Sequence, residues 1–168
     1  MREMPVVTSH IIGTMAITVF AATLTVYLYM VICNETISMA KSRLQMISDY
    51  AAVRAVELIS MANASNTQSC IQSYLDLPMD VPSGGYWITL SNGSGFIIMA
   101  STASQPTISV TSMIPLNSTL VNVQVISTEG LVIEGVTVEQ RIYGGLSDAV
   151  MWARRIGNTI QIGLGRRL

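Results

Sequence analysis

Residues whose side chains could carry out chemistry are few in this sequence, and they form no known catalytic arrangement. His10 is the only histidine, and it stands at the start of a long apolar stretch, where an interfacial polar role is favoured over catalysis. A serine becomes a nucleophile only beside a general base, and no second histidine completes a Ser/His arrangement or a histidine-based metal site. We therefore expect neither enzymatic activity nor a cofactor.

Asp76 and Asp80 lie four residues apart near prolines, and together they could contact a calcium ion. Calcium takes about six to eight oxygen ligands, so capping of local turns is the favoured interpretation. The segments around Gly84–Gly85 and around Gly93 and Gly95 contain neither the lysine nor the following helix of a phosphate-binding loop. We expect no metal or phosphate site from these residues.

The two cysteines, Cys33 and Cys70, do not have the close spacing of zinc ligands. A helix over 34–62 would carry the chain about 42 Å at a rise of ~1.5 Å per residue. Residues 62–70 can return at most about 28 Å. We therefore predict that these two thiols do not form a disulfide within one chain.

Charge is scarce, since 11% of the residues are charged and 50% are hydrophobic, whereas a typical soluble domain has roughly 25% charged residues. The net charge is −1, and the basic residues cluster only at 154–155 and 166–167. A nucleic-acid-binding protein usually carries a basic stripe. The composition therefore predicts no nucleic-acid partner, and it indicates that part of the chain occupies an apolar environment.

Residues 11–32 contain no charged side chain and are long enough for a transmembrane helix, which needs about 20 apolar residues. A secretory signal peptide has a core of about 7–15 apolar residues and a small-residue cleavage site, and this stretch is longer and lacks that site. Thr14, Thr18, Ala21 and Thr25 follow one another at helical spacing and make a face of small residues. Such faces allow helices to approach closely in an apolar medium.

Residues 36–63 continue the helical pattern without a proline or a glycine. Apolar residues recur at steps of three and four, which is typical of one helical stripe: Ile37, Ala40, Leu44, Ile47, Ala51, Ala55 and Leu58. Met46, Tyr50 and Val53 form a second apolar stripe. We predict one helix over 6–62, with one stripe covering the chain's own C-terminal domain and the other covering a second partner. The alternative is a helix that curves over a single, larger core face.

The remaining sequence predicts a β-rich domain. We assign 1–63 to the helix, 64–85 to a linker with local turns and 86–168 to an extracellular head domain. Short alternating runs bounded by turn residues predict about seven antiparallel strands in a small sandwich. The clearest hairpins are 86–100, around the glycines at 93–95, and 150–163, around Gly157–Asn158. Gly135 is interpreted as a β-bulge. The fold class is therefore α+β, a long apolar and then amphipathic helix followed by an antiparallel β head.

Sequons for N-glycosylation occur at four asparagines, all of them after the apolar stretch: Asn34, Asn63, Asn92 and Asn117. They favour export of the C-terminal region, although richness in serine and threonine can also produce them. We expect Asn63, Asn92 and Asn117 to lie in loops, and Asn34 to lie within the helix.

This organisation resembles the type IV pilin superfamily, and most closely its archaeal members: adhesive pilins, archaellins and archaellum-associated filament proteins. The resemblance rests on the apolar helix 11–32, the amphipathic stripe 37–62 and the strands within 86–164. It implies a subunit whose helix is stored in the membrane and then bundled into a filament core, with the β head outside. Superfamily leaders are basic and are cut after Gly or Ala, whereas Met-Arg-Glu-Met precedes Pro5 here, so the expectation is either no processing or a sequence already trimmed.

Two functions follow from these patterns. The first is a structural subunit of an extracellular, cell-surface filament, a homopolymer that assembles through its N-terminal helices and is anchored in the membrane beforehand. The second is a membrane-anchored binding module that contacts a surface layer or supports a filament as a stator-like accessory. Two features favour the filament subunit: the second apolar stripe of the amphipathic helix, which needs a partner, and the face of small residues.

Overall fold

The computed structural model describes residues 4–65, 68–92, 96–104, 107–114 and 122–168. One helix, α1, runs from Met4 to Ala64. Pro5 lies in its first turn, where the missing N–H has no intrahelical partner to lose. The chain divides into two compact units, Met1–Ser38 and Met39–Leu168. The first unit is the N-terminal part of α1, and the second contains the C-terminal part of α1 together with all the described strands.

The second unit contains ten described strands in two sheets. Their bounds are β1 Ile71–Tyr74, β2 Tyr86–Asn92, β3 Phe96–Thr102, β4 Ser109–Met113, β5 Asn122–Val125, β6 Val132–Ile133, β7 Val136–Glu139, β8 Arg141–Tyr143, β9 Ala149–Ile156 and β10 Thr159–Arg167. The predicted fold class, a long N-terminal helix followed by a β-rich head, is confirmed.

The larger sheet has the order β1-β9-β10-β7-β6, and β5 also pairs with β10. Strand β10 is antiparallel to β9 from Thr159 to Arg166, as the Gly157–Asn158 hairpin predicted. Its other edge is shared by two strands, because β5 pairs with 159–162 and β7 pairs with 164–167. The β5–β10 pairing is parallel, whereas the sequence patterns predicted only antiparallel strands.

The smaller sheet has the order β4-β3-β2-β8, and all its pairings are antiparallel. The predicted antiparallel pairing of β2 and β3 is confirmed, with Tyr86 opposite Thr102 and Leu90 opposite Ile98, and the predicted turn at 93–95 lies outside the described residues. Side chains alternate along β2, so Tyr86, Ile88 and Leu90 are buried while Trp87 is only half-buried. One face of this sheet therefore belongs to the core, and the other is partly open.

Helix α1 packs against the strands through an apolar face that includes polar contacts. Buried Ser48 donates a hydrogen bond to the carbonyl of Ile98 on β3 at 2.9 Å. On β4, the Ser112 hydroxyl donates to Asp49 Oδ1 at 2.5 Å and accepts from Gln45 Nε2 at 3.1 Å. These contacts give the helix a fixed register against the smaller sheet, since a buried hydroxyl without a partner costs about 1–3 kcal/mol.

A second core cluster lies in the larger sheet, around the fully buried ring of Trp152 on β9. Its cross-strand partner on β10 is Gly163. A Cβ at Gly163 would lie 2.7 Å from the Trp152 ring and 2.7 Å from the carbonyl oxygen of Ile126. The indole therefore occupies space that only glycine leaves open.

Two predictions about this domain are wrong. Residues 64–85 are not a linker, because β1 lies within them and pairs with β9, and Leu75, Leu77 and Val81 are buried. Gly135 is not a bulge. With Glu134 it forms the two-residue turn between β6 and β7, and both residues have positive φ, 45° and 84°.

Candidate membrane and assembly surface of the helix

The first unit presents apolar side chains to its surroundings on every side. All of its described large hydrophobic residues from Ile11 to Ile32 are exposed, including Phe20, Tyr27 and Tyr29. α1 holds an 18-residue window of mean hydropathy 2.1, none of it buried, near the N-terminus. By length and composition this is one helix able to cross a membrane, and a signal sequence has the same properties.

The predicted small-residue face consists of side chains whose polar groups are already satisfied. Thr14 donates to the carbonyls of His10 and Ile11, both at 3.0 Å. Thr18 donates to the Thr14 carbonyl, and Thr25 to the Ala21 carbonyl, each at 2.8 Å. Because these hydroxyl protons bond within the helix, the face offers methyl groups and small contours to a neighbour. It therefore suits close packing in lipid better than hydrogen bonding between helices.

In the second unit, one stripe of α1 is covered by the strands of the same chain. The buried residues of this predicted stripe, which packs the helix, are Ala40, Leu44, Ile47, Ala51, Ala55 and Leu58. Ile37, in the first unit, is half-buried. These six residues belong to the stripe that was predicted to cover the chain's own C-terminal domain, and the structure buries them in the second unit. They therefore leave no exposed surface for a helix of another subunit.

The second apolar stripe lies on the opposite face of α1 and is uncovered. Met46 is 62% exposed and Val53 58% exposed, and Tyr50 between them is half-buried. Met39 and Met61 extend the same line at helical spacing and are also exposed. Because Met46 and Val53 stay exposed, this stripe is not buried in a single, larger core face, although Met46 and Tyr50 line an open groove with residues of the β domain.

The sequon asparagines occupy ends and surfaces of elements. Asn34 is exposed on α1, as predicted, and Asn63 is exposed in its last turn, where its carbonyl accepts a hydrogen bond from Arg155 Nη1 at 2.9 Å. Asn92 is the exposed last residue of β2. Asn63 and Asn92 are therefore not in loops, and Asn117 lies outside the described residues.

The residues considered for chemistry are not brought together. His10 is exposed on the first unit, and both cysteines are free. Asp76 and Asp80 line an open groove of about 760 Å³ with Arg43, Met46 and Tyr50 of α1. No cluster of three or more His, Cys, Asp or Glu side chains able to hold a metal occurs among the described residues.

Sequence reasoning missed one group of side chains, on the open face of the smaller sheet. The Arg141 guanidinium lies 5.4 Å from the centre of the Trp87 ring, and Tyr143 meets the same ring edge-on at 6.2 Å. Alternation along β8 places Arg141 on the face opposite buried Ile142. Its proximity to Trp87 depends on the pairing of β8 with β2, which no local pattern encodes.

Comparisons with protein-family models, with curated proteins and with solved structures find no match to this chain.

Proposed function

We propose that this protein is the structural subunit of an extracellular filament of the type IV pilin kind, assembling with copies of itself through its N-terminal helix. The helix is held in the membrane before assembly. The observation that supports this proposal most is the uncovered apolar stripe of Met46 and Val53 in the second unit.

The stripe extends beyond what a membrane can cover. A bilayer core about 30 Å thick is spanned by about 20 residues, and 11–32 already provide them. Met46 and Val53 come more than one helical turn later, so in a solitary anchored protein they would face water or headgroups. Removing apolar surface from water contributes roughly 25 cal/mol per Å². Neighbouring helices of a filament core would supply that burial along α1.

The satisfied threonines of the apolar helix support the same proposal. A face of Thr14, Thr18, Ala21 and Thr25 presents no free hydroxyl donor and little bulk. Helices in an apolar medium associate through such faces, because van der Waals packing replaces the hydrophobic effect there. The same surface can thus contact lipid before assembly and other helices afterwards.

The experiment changes the stripe and leaves the fold intact. Met46→Lys and Val53→Lys, singly and together, place a charge where a neighbouring helix would pack. The matched control is Thr128→Lys, an exposed residue of the β domain. In cells expressing the full chain, sheared surface material is examined by electron microscopy. We expect filaments from the parent and the control, and loss of filaments from the double variant while the membrane-bound subunit persists.

The second candidate is a membrane-anchored extracytoplasmic binding module, which contacts a surface layer or acts as a stator-like accessory of a filament. The single helix of sufficient length and hydropathy supports it. It predicts that the parent chain itself yields no polymer and stays a monomer or dimer in detergent extracts. That outcome would exclude the filament proposal, and filaments of the parent chain would exclude the anchored module.

A further inference from the structure

The Arg141–Trp87–Tyr143 group occupies the open face of the smaller sheet. Trp87 lies opposite Tyr143, and Thr89 opposite Arg141, in the β2–β8 pairing. Tyr143 is 51% exposed, and Arg141 is exposed. The guanidinium carbon lies over the indole ring at 5.4 Å from its centre, and this cation–π contact limits the motion of the Arg141 side chain without using its N–H groups as hydrogen-bond donors.

Arg141 differs from the other strand arginines in having no hydrogen-bond acceptor among the residues that the structure describes. Arg154 donates to Gln161, Arg155 to Gly157 and Asn63, and Arg166 to Asp148. Arg167 donates to the Tyr74 hydroxyl. Within the described part of the chain, Arg141 has only its ring contact. A positioned guanidinium with free N–H groups is suited to bind a carboxylate or another planar anion by two parallel hydrogen bonds.

A groove of about 460 Å³ adjoins the guanidinium, within the usual range of small-ligand sites. The side-chain amides of Asn92 and Gln140 line it, with hydroxyls from Thr89, Ser91 and Ser127. Amides and hydroxyls both donate and accept hydrogen bonds. No carboxylate is among these lining residues, so Arg141 gives the groove a single positive charge.

We propose that this groove binds an acidic saccharide, with a hexuronate carboxylate on Arg141 and its ring hydroxyls on the amides and hydroxyls. The exposed Tyr143 ring would accept the apolar face of an adjoining sugar. A nucleic acid is a poorer occupant, because successive phosphates need several cations and this groove has one. The proposal goes beyond filament assembly and holds equally for an anchored module.

The test measures binding of short oligogalacturonate to the full chain in detergent micelles by isothermal titration calorimetry. Since Asn92 is also a sequon asparagine, the protein is produced without N-glycosylation. The control ligand is the same oligosaccharide with its carboxylates methyl-esterified. We expect saturable binding of the acid at about 1 mM or below, weakened by salt, and at least tenfold weaker binding of the ester.

Variants assign the binding to the groove. Arg141→Met is expected to weaken binding at least tenfold and Arg141→Lys less, because lysine keeps the charge but loses the planar fork. The control Arg154→Met, on the other sheet, should bind like the parent, and thermal unfolding verifies that each variant folds. The proposal would be overturned by equal binding of acid and ester or by unchanged binding to Arg141→Met. It would also be overturned by no binding at about 1 mM or by tighter binding of oligothymidylate.

Discussion

At the scale of single residues, Glu134 connects two parts of the larger sheet at a backbone cost. It is the non-glycine residue with positive φ in the described chain, a conformation that costs an ordinary residue about 1–2 kcal/mol. Its carboxylate accepts the Cys70 N–H at 2.8 Å, and its carbonyl accepts Gln72 Nε2 at 3.1 Å. These two bonds attach the β1 region to the β6–β7 turn and offset the strain.

The same neighbourhood controls the Cys70 thiol. Burial, and secondarily the Glu134 carboxylate, raises the pKa of Cys70 from about 9 to about 11. The thiolate is the reactive form, so at pH 8 the reactive fraction is about a hundredfold smaller than in an ordinary thiol. In a Cys33→Ser background we expect alkylation by iodoacetamide to be slower than that of a model thiol by about this factor.

The measurement is the alkylation rate from pH 7 to 11, followed by mass spectrometry of the intact full chain. The rate should keep rising through pH 10, since the folded-state thiol ionises only near pH 11. Glu134→Gln removes the carboxylate repulsion, and it should therefore lower the pKa and speed the reaction at pH 8. A rate that levels off below pH 9 would contradict the assignment.

At the scale of elements, the sequence predicts what local patterns determine. The bounds of α1 and the β2–β3 and β9–β10 hairpins follow from periodicity and turn residues. Strand β1 could not be predicted in this way, because its short sequence Ile71–Tyr74 becomes a strand only by pairing with β9. The parallel β5–β10 pairing and the contact of Arg141 with the Trp87 ring were missed for the same reason, since both depend on partners distant in the chain.

The buried and the exposed face of α1 are expected to tolerate a larger side chain differently. Ala55 is fully buried against the strands and Val53 is exposed, although both lie in the same helical turn. Ala55→Leu forces extra methylenes into a filled interface and should lower the free energy of unfolding by about 1–3 kcal/mol. Val53→Leu adds its methylene in open space and should change it by less than about 0.5 kcal/mol.

Thermal unfolding of the full chain in detergent, followed by tryptophan fluorescence, measures this difference. The buried Trp152 and the half-buried Trp87 both report on the β domain. Equal destabilisation by the two substitutions would mean that α1 does not present Ala55 to the strands.

At the scale of the whole molecule, the two units divide their apolar surface differently. The second unit buries most of its apolar residues in a core of its own, and its Met46–Val53 stripe is an exception. The first unit buries none of its large apolar side chains among those described. Sequence hydropathy predicts that the first unit leaves its apolar side chains exposed. Which stripe of α1 the second unit buries could be read only from the structure, because only the packing of α1 on β3 and β4 distinguishes a covered stripe from an uncovered one.

Because the first unit leaves its apolar side chains exposed, a substitution in it can test membrane anchoring and assembly separately. Ala21→Leu raises the hydropathy of the apolar helix but fills its small-residue face, so close approach of a second helix should be blocked. Ile17→Leu, outside the face of Thr14, Thr18, Ala21 and Thr25, is the matched control with nearly constant volume. We expect both variants to remain in carbonate-washed membranes, while Ala21→Leu yields filaments reduced about tenfold, equivalent to about 1.4 kcal/mol per added subunit. Undiminished filaments from Ala21→Leu would show that this face is not an assembly surface, and loss of the protein from membranes would show that residue 21 acts in anchoring instead.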